Sequence, residues 1–185
     1  MGKFVNPDNT AFQVALNSEI YVDKTGLIEY TNRVMDTNQA LICNSRPRRF
    51  GKSITANMLA AYYSRGCNSK QLFEGKNISK TKLYEEHLNK HDVIHLDVQW
   101  CCMDAGSAEK TVSYITQKVL CELKEEFPDV PFSKKNTLGG ALADITQKTG
   151  HKFVIIIDEW DVLIRDEAAN LKVQEEYIDF LRGLF

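Results

Sequence analysis

No run in the 185-residue chain approaches the roughly 18 apolar residues of a membrane helix. The opening Met1-Gly2-Lys3-Phe4-Val5-Asn6-Pro7 also lacks the apolar stretch of a signal peptide. There is no C-x-x-C pair: the five cysteines are odd in number, and Cys101 and Cys102 are adjacent. That pattern argues against a disulfide framework and for reduced thiols in the cytoplasm. A large charge of one sign is missing too. With a net charge of −2, no global basic field draws the protein toward nucleic acid or an anionic membrane, so any such contact must be local. No internal repeat or low-complexity segment occurs. His87, His91 and His95 recur every fourth residue, but Asp92-Val93-Ile94-His95-Leu96-Asp97-Val98 alternates like a strand. The three histidines therefore cannot share a helical face, and a metal site built on them is rejected. His151 is isolated and reads as structural. What remains is a chain 43% hydrophobic and 26% charged, ordinary for a soluble globular protein and long enough for one domain over residues 1–185.

One loop stands out from this background. Ser45-Arg46-Pro47-Arg48-Arg49-Phe50-Gly51-Lys52-Ser53 follows the apolar, strand-like Gln39-Ala40-Leu41-Ile42-Cys43 and precedes a helical pattern from Ile54 to Tyr63. At such a junction the first N–H groups of the helix have no intrahelical partners and carry the positive end of its dipole, so a polyphosphate can satisfy them. Gly51 can take a positive φ and let phosphate oxygens reach the backbone. Lys52 can then extend to the β- and γ-phosphates, and the Ser53 hydroxyl can bind Mg²⁺. The first glycine of G-x-x-x-x-G-K-[ST] is absent, its place taken by Arg46 with Pro47 after it. Arg46, Arg48 and Arg49 are open to two readings, as forked phosphate donors or as solvated loop charges, and a nucleic-acid phosphate would suit them equally well. The candidate binding segment is Arg46-Pro47-Arg48-Arg49-Phe50-Gly51-Lys52-Ser53-Ile54, with Lys52 also catalytic.

The matching half lies in Lys152-Phe153-Val154-Ile155-Ile156-Ile157-Asp158-Glu159-Trp160-Asp161, where five consecutive apolar residues end in two acids. A largely β-branched run without alternation suits a strand buried on both faces of a parallel sheet, and such sheets place ligands at the carboxyl ends of their strands. Successive side chains point to opposite sides. Asp158 is accordingly assigned to the metal with Ser53, and Glu159 to the general base that activates a water. Asp161 either supports the site from behind or caps a helix over Val162-Leu163-Ile164-Arg165.

The remaining pattern is α/β. Residues 1–20 read as irregular, and Asp23-Lys24-Thr25 begins a helix toward Val34. Residues 67–90 form a polar connection with a short helix, and a strand covers Val93 to Val98. Helices follow from Val112 to Leu123 and from Leu138 to Lys148, with Gly150 ending the second. Strands alternating with helices give right-handed parallel crossovers. Three core strands are expected, at about 40–43, 93–98 and 153–157, where sheets usually hold four to six. The last helix, residues 171–185, has nothing after it to cover its apolar end. The expected fold is thus a three-layer sandwich of the P-loop NTPase type with a mainly parallel sheet, cut after its third core strand.

Three segments give the chain a family resemblance: Tyr21-Val22-Asp23-Lys24-Thr25-Gly26-Leu27-Ile28, Arg46-Pro47-Arg48-Arg49-Phe50-Gly51-Lys52-Ser53 and Ile155-Ile156-Ile157-Asp158-Glu159-Trp160-Asp161. Together they resemble the AAA-ATPase-like proteins, whose phosphate loop reads R-P-R-R-F-G-K-[ST] and whose acidic motif is usually D-E-Y-D, with Trp160 here in place of the tyrosine. The resemblance implies ATP binding and Mg²⁺-dependent hydrolysis, with a nucleotide-gated binding module as the alternative. It also implies a C-terminal remainder of the same protein, often a PD-(D/E)-x-K nuclease-like domain, and places Tyr21, Val22 and Asp23 near the adenine. No sensor or arginine-finger residue is assigned, since these would follow the third core strand in the C-terminal remainder. Oligomeric state is not implied.

Overall fold

The structure is a computed structural model that describes every residue except Met1, Arg46, Arg48, Lys134, Lys135, Asn136 and Ala168. Two strands, β1 (Asp92–Asp97) and β2 (Phe153–Asp158), pair in parallel, with Asp92 opposite Phe153 and Asp97 opposite Asp158. Their β-branched residues suit the pleated, crowded interior of a sheet. Alternation divides the side chains between two cores. Ile94, Leu96, Phe153, Ile155 and Ile157 face one of them, and Val93, Val154 and Ile156 face the other. The free edge of β1 is covered by the N-terminal segment, where Asn6 N–H donates to Val93 O at 2.8 Å and His95 N–H donates to Phe4 O at 2.9 Å.

Helices lie on both faces, which makes the architecture α/β. On the first face are α7 (Ala108–Glu126) and α8 (Leu138–Thr149). The α7 residues Thr111, Ile115, Val119 and Leu123 recur every fourth position and are buried, as one helical stripe requires. Full burial of each Ile, Val or Leu contributes about 1.5–3 kcal/mol. Helix α8 starts where Thr137 Oγ1 accepts from Gly140 N–H and ends at Gly150, whose φ is 76°. The second face carries α3 (Lys52–Tyr63), which contacts both strands. Around it pack α1 (Thr10–Leu16), α2 (Gly26–Val34), the short α4 (Lys70–Phe73) and α5 (Tyr84–His87). Beyond the strand ends, α6 (Val98–Ala105), α9 (Val162–Asp166) and α10 (Leu171–Arg182) share a third cluster built on Val98, Val162, Leu163, Val173 and Tyr177.

Several expectations are corrected. The stretch over residues 40–43 is not a strand: Leu41 is 71% and Ile42 41% exposed. Among the described residues no backbone hydrogen bond joins residues 41–45 to either strand, and an apolar run becomes a strand only where a neighbour completes its ladder. Residues 1–20 are not wholly irregular, since they hold α1 and the edge cover of β1. Val98 leaves the strand because Asp97 accepts from Trp100 N–H at 2.9 Å and starts α6. The apolar end of α10 does find cover, with Phe180 and Leu184 against the α7–α8 core. Among the described residues no helix is long and apolar enough to cross a membrane.

The end of the sheet remote from these loops is fixed by a buried carboxylate. Asp92 is fully buried; its Oδ1 accepts from Asn6 Nδ2 at 3.0 Å and stands 3.0 Å from Arg65 Nε. His151 Nδ1 lies 3.1 Å from Asp92 Oδ2 and 3.4 Å from Arg65. It completes the carboxylate's partners when it carries the proton and accepts from Arg65 when it does not. Removing one member of a buried pair leaves the rest uncompensated. Asp92→Ala is therefore expected to cost about 2–3 kcal/mol, moderated by the half-exposed Arg65. Urea denaturation should show a lower midpoint at unchanged slope; an unshifted midpoint would refute this role.

Candidate functional site

The loop before α3 closes through two left-handed residues. Arg49 has φ 67° and Gly51 has φ 74°. At Gly51 a Cβ would stand 2.8 Å from Lys24 Nζ, the movable end of a flexible side chain, so it is the left-handed backbone that calls for glycine there. The carbonyl of Gly51 accepts from Thr55 N–H at 3.0 Å and from Thr55 Oγ1 at 2.9 Å. Helical bonding begins at that point, which leaves the N–H groups of Lys52, Ser53 and Ile54 without intrahelical partners. These three residues line a cleft of about 410 Å³ together with Arg49 and Gly51. Arg46 and Arg48 lie outside the described residues. Pro47 and Phe50 are exposed and are not part of the cleft lining.

The other lining comes from the ends of the strands: Gln99 at the start of α6, Glu159 after β2, and Arg165 and Asp166 on α9. Parallel pairing brings both strands to the same edge, so Asp97 and Asp158 are register partners and share the face of Val154 and Ile156 that α3 covers. Asp158 is 7% exposed, and its Oδ1 accepts from Glu159 N–H at 3.0 Å. Glu159 has φ 50°. Among the described residues five non-glycines have positive φ, and three of them are Asn or Asp, which tolerate it. The other two, Arg49 and Glu159, both line this cleft, consistent with strained backbone gathering where side chains must be aimed. Burial, with the Asp158 and Glu159 charges added to it, holds the Asp97 carboxyl above the usual range against the opposing Trp100 N–H. Behind the turn, Tyr177 is fully buried and its OH donates to Trp160 O at 2.8 Å. Asp161 is the N-cap residue of α9 but makes no side-chain cap; its Oδ2 lies 3.1 Å from Arg165.

Lys24, Asp97, Gln99, Arg165 and Asp166 escaped the sequence reading. Lys24 Nζ donates to Phe50 O, and its loop is pinned on both sides. Asp23 accepts from Thr25 N–H at 2.8 Å and Asn77 N–H at 2.9 Å, and Thr25 Oγ1 accepts from Ile78 N–H at 3.1 Å. Burial pushes the Asp23 carboxyl up, but these amides outweigh it and hold it below the usual range. Both Asp23 oxygens are thus engaged within the protein. The available signal was positional: Asp97 ends its strand as Asp158 does. His87 and His91 do meet, with Nδ1 and Nε2 2.9 Å apart. Among the described residues no group of three or more His, Cys, Asp or Glu could hold a metal on its own.

An α/β frame in which a glycine–lysine–serine helix start and the carboxylates of Glu159 and Asp166 line one cleft marks a candidate phosphate-binding site. A family model, AAA-ATPase_like, described as Predicted AAA-ATPase, matches residues 11–185. The chain belongs to the AAA-ATPase-like family. No curated protein and no solved structure matches it.

Gly51→Ala puts a Cβ on a residue held in the left-handed region. A loss of about 1–2 kcal/mol in stability is expected, read from chemical denaturation. An equal or higher midpoint would show that the turn does not need glycine.

Proposed function

We propose that this domain is a P-loop ATPase: it binds a nucleoside triphosphate at the N-terminus of α3 and transfers its γ-phosphoryl group to water. The observation that carries the reading is the shared cleft, in which Lys52 and Ser53 at the start of α3 and Glu159 at the end of β2 are lining residues. The free N–H groups and dipole of α3 favour the β-phosphate, and Lys52 neutralises charge that builds between the β- and γ-phosphates. Glu159 takes a proton from the attacking water as the new P–O bond forms. The bond to the β-phosphate oxygen breaks, and ADP and phosphate leave. ATP as the nucleotide is what family membership supports.

The donors fit magnesium. The Ser53 hydroxyl and the Asp158 carboxylate are oxygen ligands, and so small a protein set leaves room for water and phosphate oxygens, as a hard, octahedral cation requires. Ser53 and Asp158 would hold the ion, whose charge, once bound, screens that of the phosphate oxygens.

Calorimetry with Mg·ATP should show binding to the wild type and a loss of about tenfold or more in Lys52→Ala; an unchanged isotherm removes the assignment. Glu159→Gln should keep binding while turnover falls by about 10²–10⁴. Retained turnover would deny Glu159 the base role, and binding without turnover in the wild type would favour a nucleotide-gated module.

A further inference from the structure

Two carboxylates, Glu159 and Asp166, belong to the part of the cleft contributed by β2 and α9, and Arg165 is the cation contributed with them. A phosphate chain held by α3 would bring its terminal, most highly charged group toward this lining. Facing two carboxylates alone, that group would be repelled, because unit charges a few ångströms apart in a partly desolvated cleft interact strongly. Arg165 offsets one of these two charges and is the donor on this side that can meet the terminal phosphate directly.

Its geometry is set before any ligand arrives. Arg165 Nε lies 2.8 Å from Asp166 Oδ1, and its NH1 lies 3.1 Å from Asp161 Oδ2. These bonds use two of the five N–H donors of a guanidinium. Others remain free to meet phosphate oxygens without breaking either ion pair, and the side chain is 36% exposed, open to a ligand in the cleft. A planar fork held on two sides is suited to bidentate phosphate contact. The same arrangement accounts for Asp161, whose carboxylate orients Arg165 and does not cap α9.

We infer that Arg165 is the residue by which this domain distinguishes a nucleoside triphosphate from a diphosphate, contacting the terminal phosphate from within the same chain, with Asp161 as its positioning residue. The inference rests on the phosphate-binding reading above and places such an arginine within α9, not in a later part of the protein.

Binding of Mg·ADP and of the magnesium complex of the non-hydrolysable analogue adenosine 5′-(β,γ-imido)triphosphate should be measured for wild type, Arg165→Ala, Arg165→Lys, Asp161→Asn and Lys52→Ala. In Arg165→Ala the triphosphate analogue should bind about 10- to 100-fold more weakly while ADP changes less than about twofold. Arg165→Lys should recover part of the loss, since it restores charge without the fork, and Asp161→Asn should shift the same ratio by less. A structural role alone would weaken both nucleotides together. An unchanged ratio in Arg165→Ala and Arg165→Lys overturns the inference; if Lys52→Ala still abolishes binding, the phosphate-site reading survives. Wild type that binds neither nucleotide overturns both.

Discussion

Six residues of β1 stand in parallel register with six of β2, so both strands run out at one edge and deliver their last side chains to the same place. Antiparallel pairing or a one-residue slip would send Asp158 to the opposite end or the opposite face. Because Val93, Val154 and Ile156 pack toward α3, the face that carries Asp158 is the face that α3 covers. The start of α3, with its unpaired N–H groups, and the turn at Glu159 then line one cleft. The buried Asp92 cluster anchors the far end of this pairing, tying together β1, the N-terminal segment and the residues leading into β2.

Backbone strain is concentrated where the two halves meet. Arg49, Gly51 and Glu159 all take positive φ, and each is held from behind. Lys24 secures the carbonyl before Gly51, the Asp158 carboxylate accepts from the Glu159 amide, and Tyr177 secures the carbonyl of Trp160. The helix α10 thus supports the acidic turn, and the Asp23–Thr25 loop supports the loop before α3. Residues remote in the chain carry out a single task, keeping the cleft open and its charges aimed.

The local motifs were legible because their chemistry is local. Gly51-Lys52-Ser53 before a helix, and an apolar run ending in Asp158-Glu159, announce their elements through spacing alone. The four-residue stripe of α7 and the Gly150 stop of α8 were equally readable. What was not legible depends on partners. Leu41 and Ile42 have strand composition, yet no neighbour completes a ladder with them among the described residues. Asp97 read as an interior strand position until the Trp100 amide bond showed it starting a helix. Lys24 lay in a recognised segment with no role given to it, and Arg165 in a plain helix; only the fold brings them to the loop before α3 and to the cleft.

The most direct test of the account is amide hydrogen exchange with and without Mg·ATP. Nucleotide should slow exchange in two separated stretches at once, the amides of residues 51–54 and those of residues 158–166, because both belong to one cleft. Protection of only one stretch, or of neither while the nucleotide is bound, would contradict the shared site.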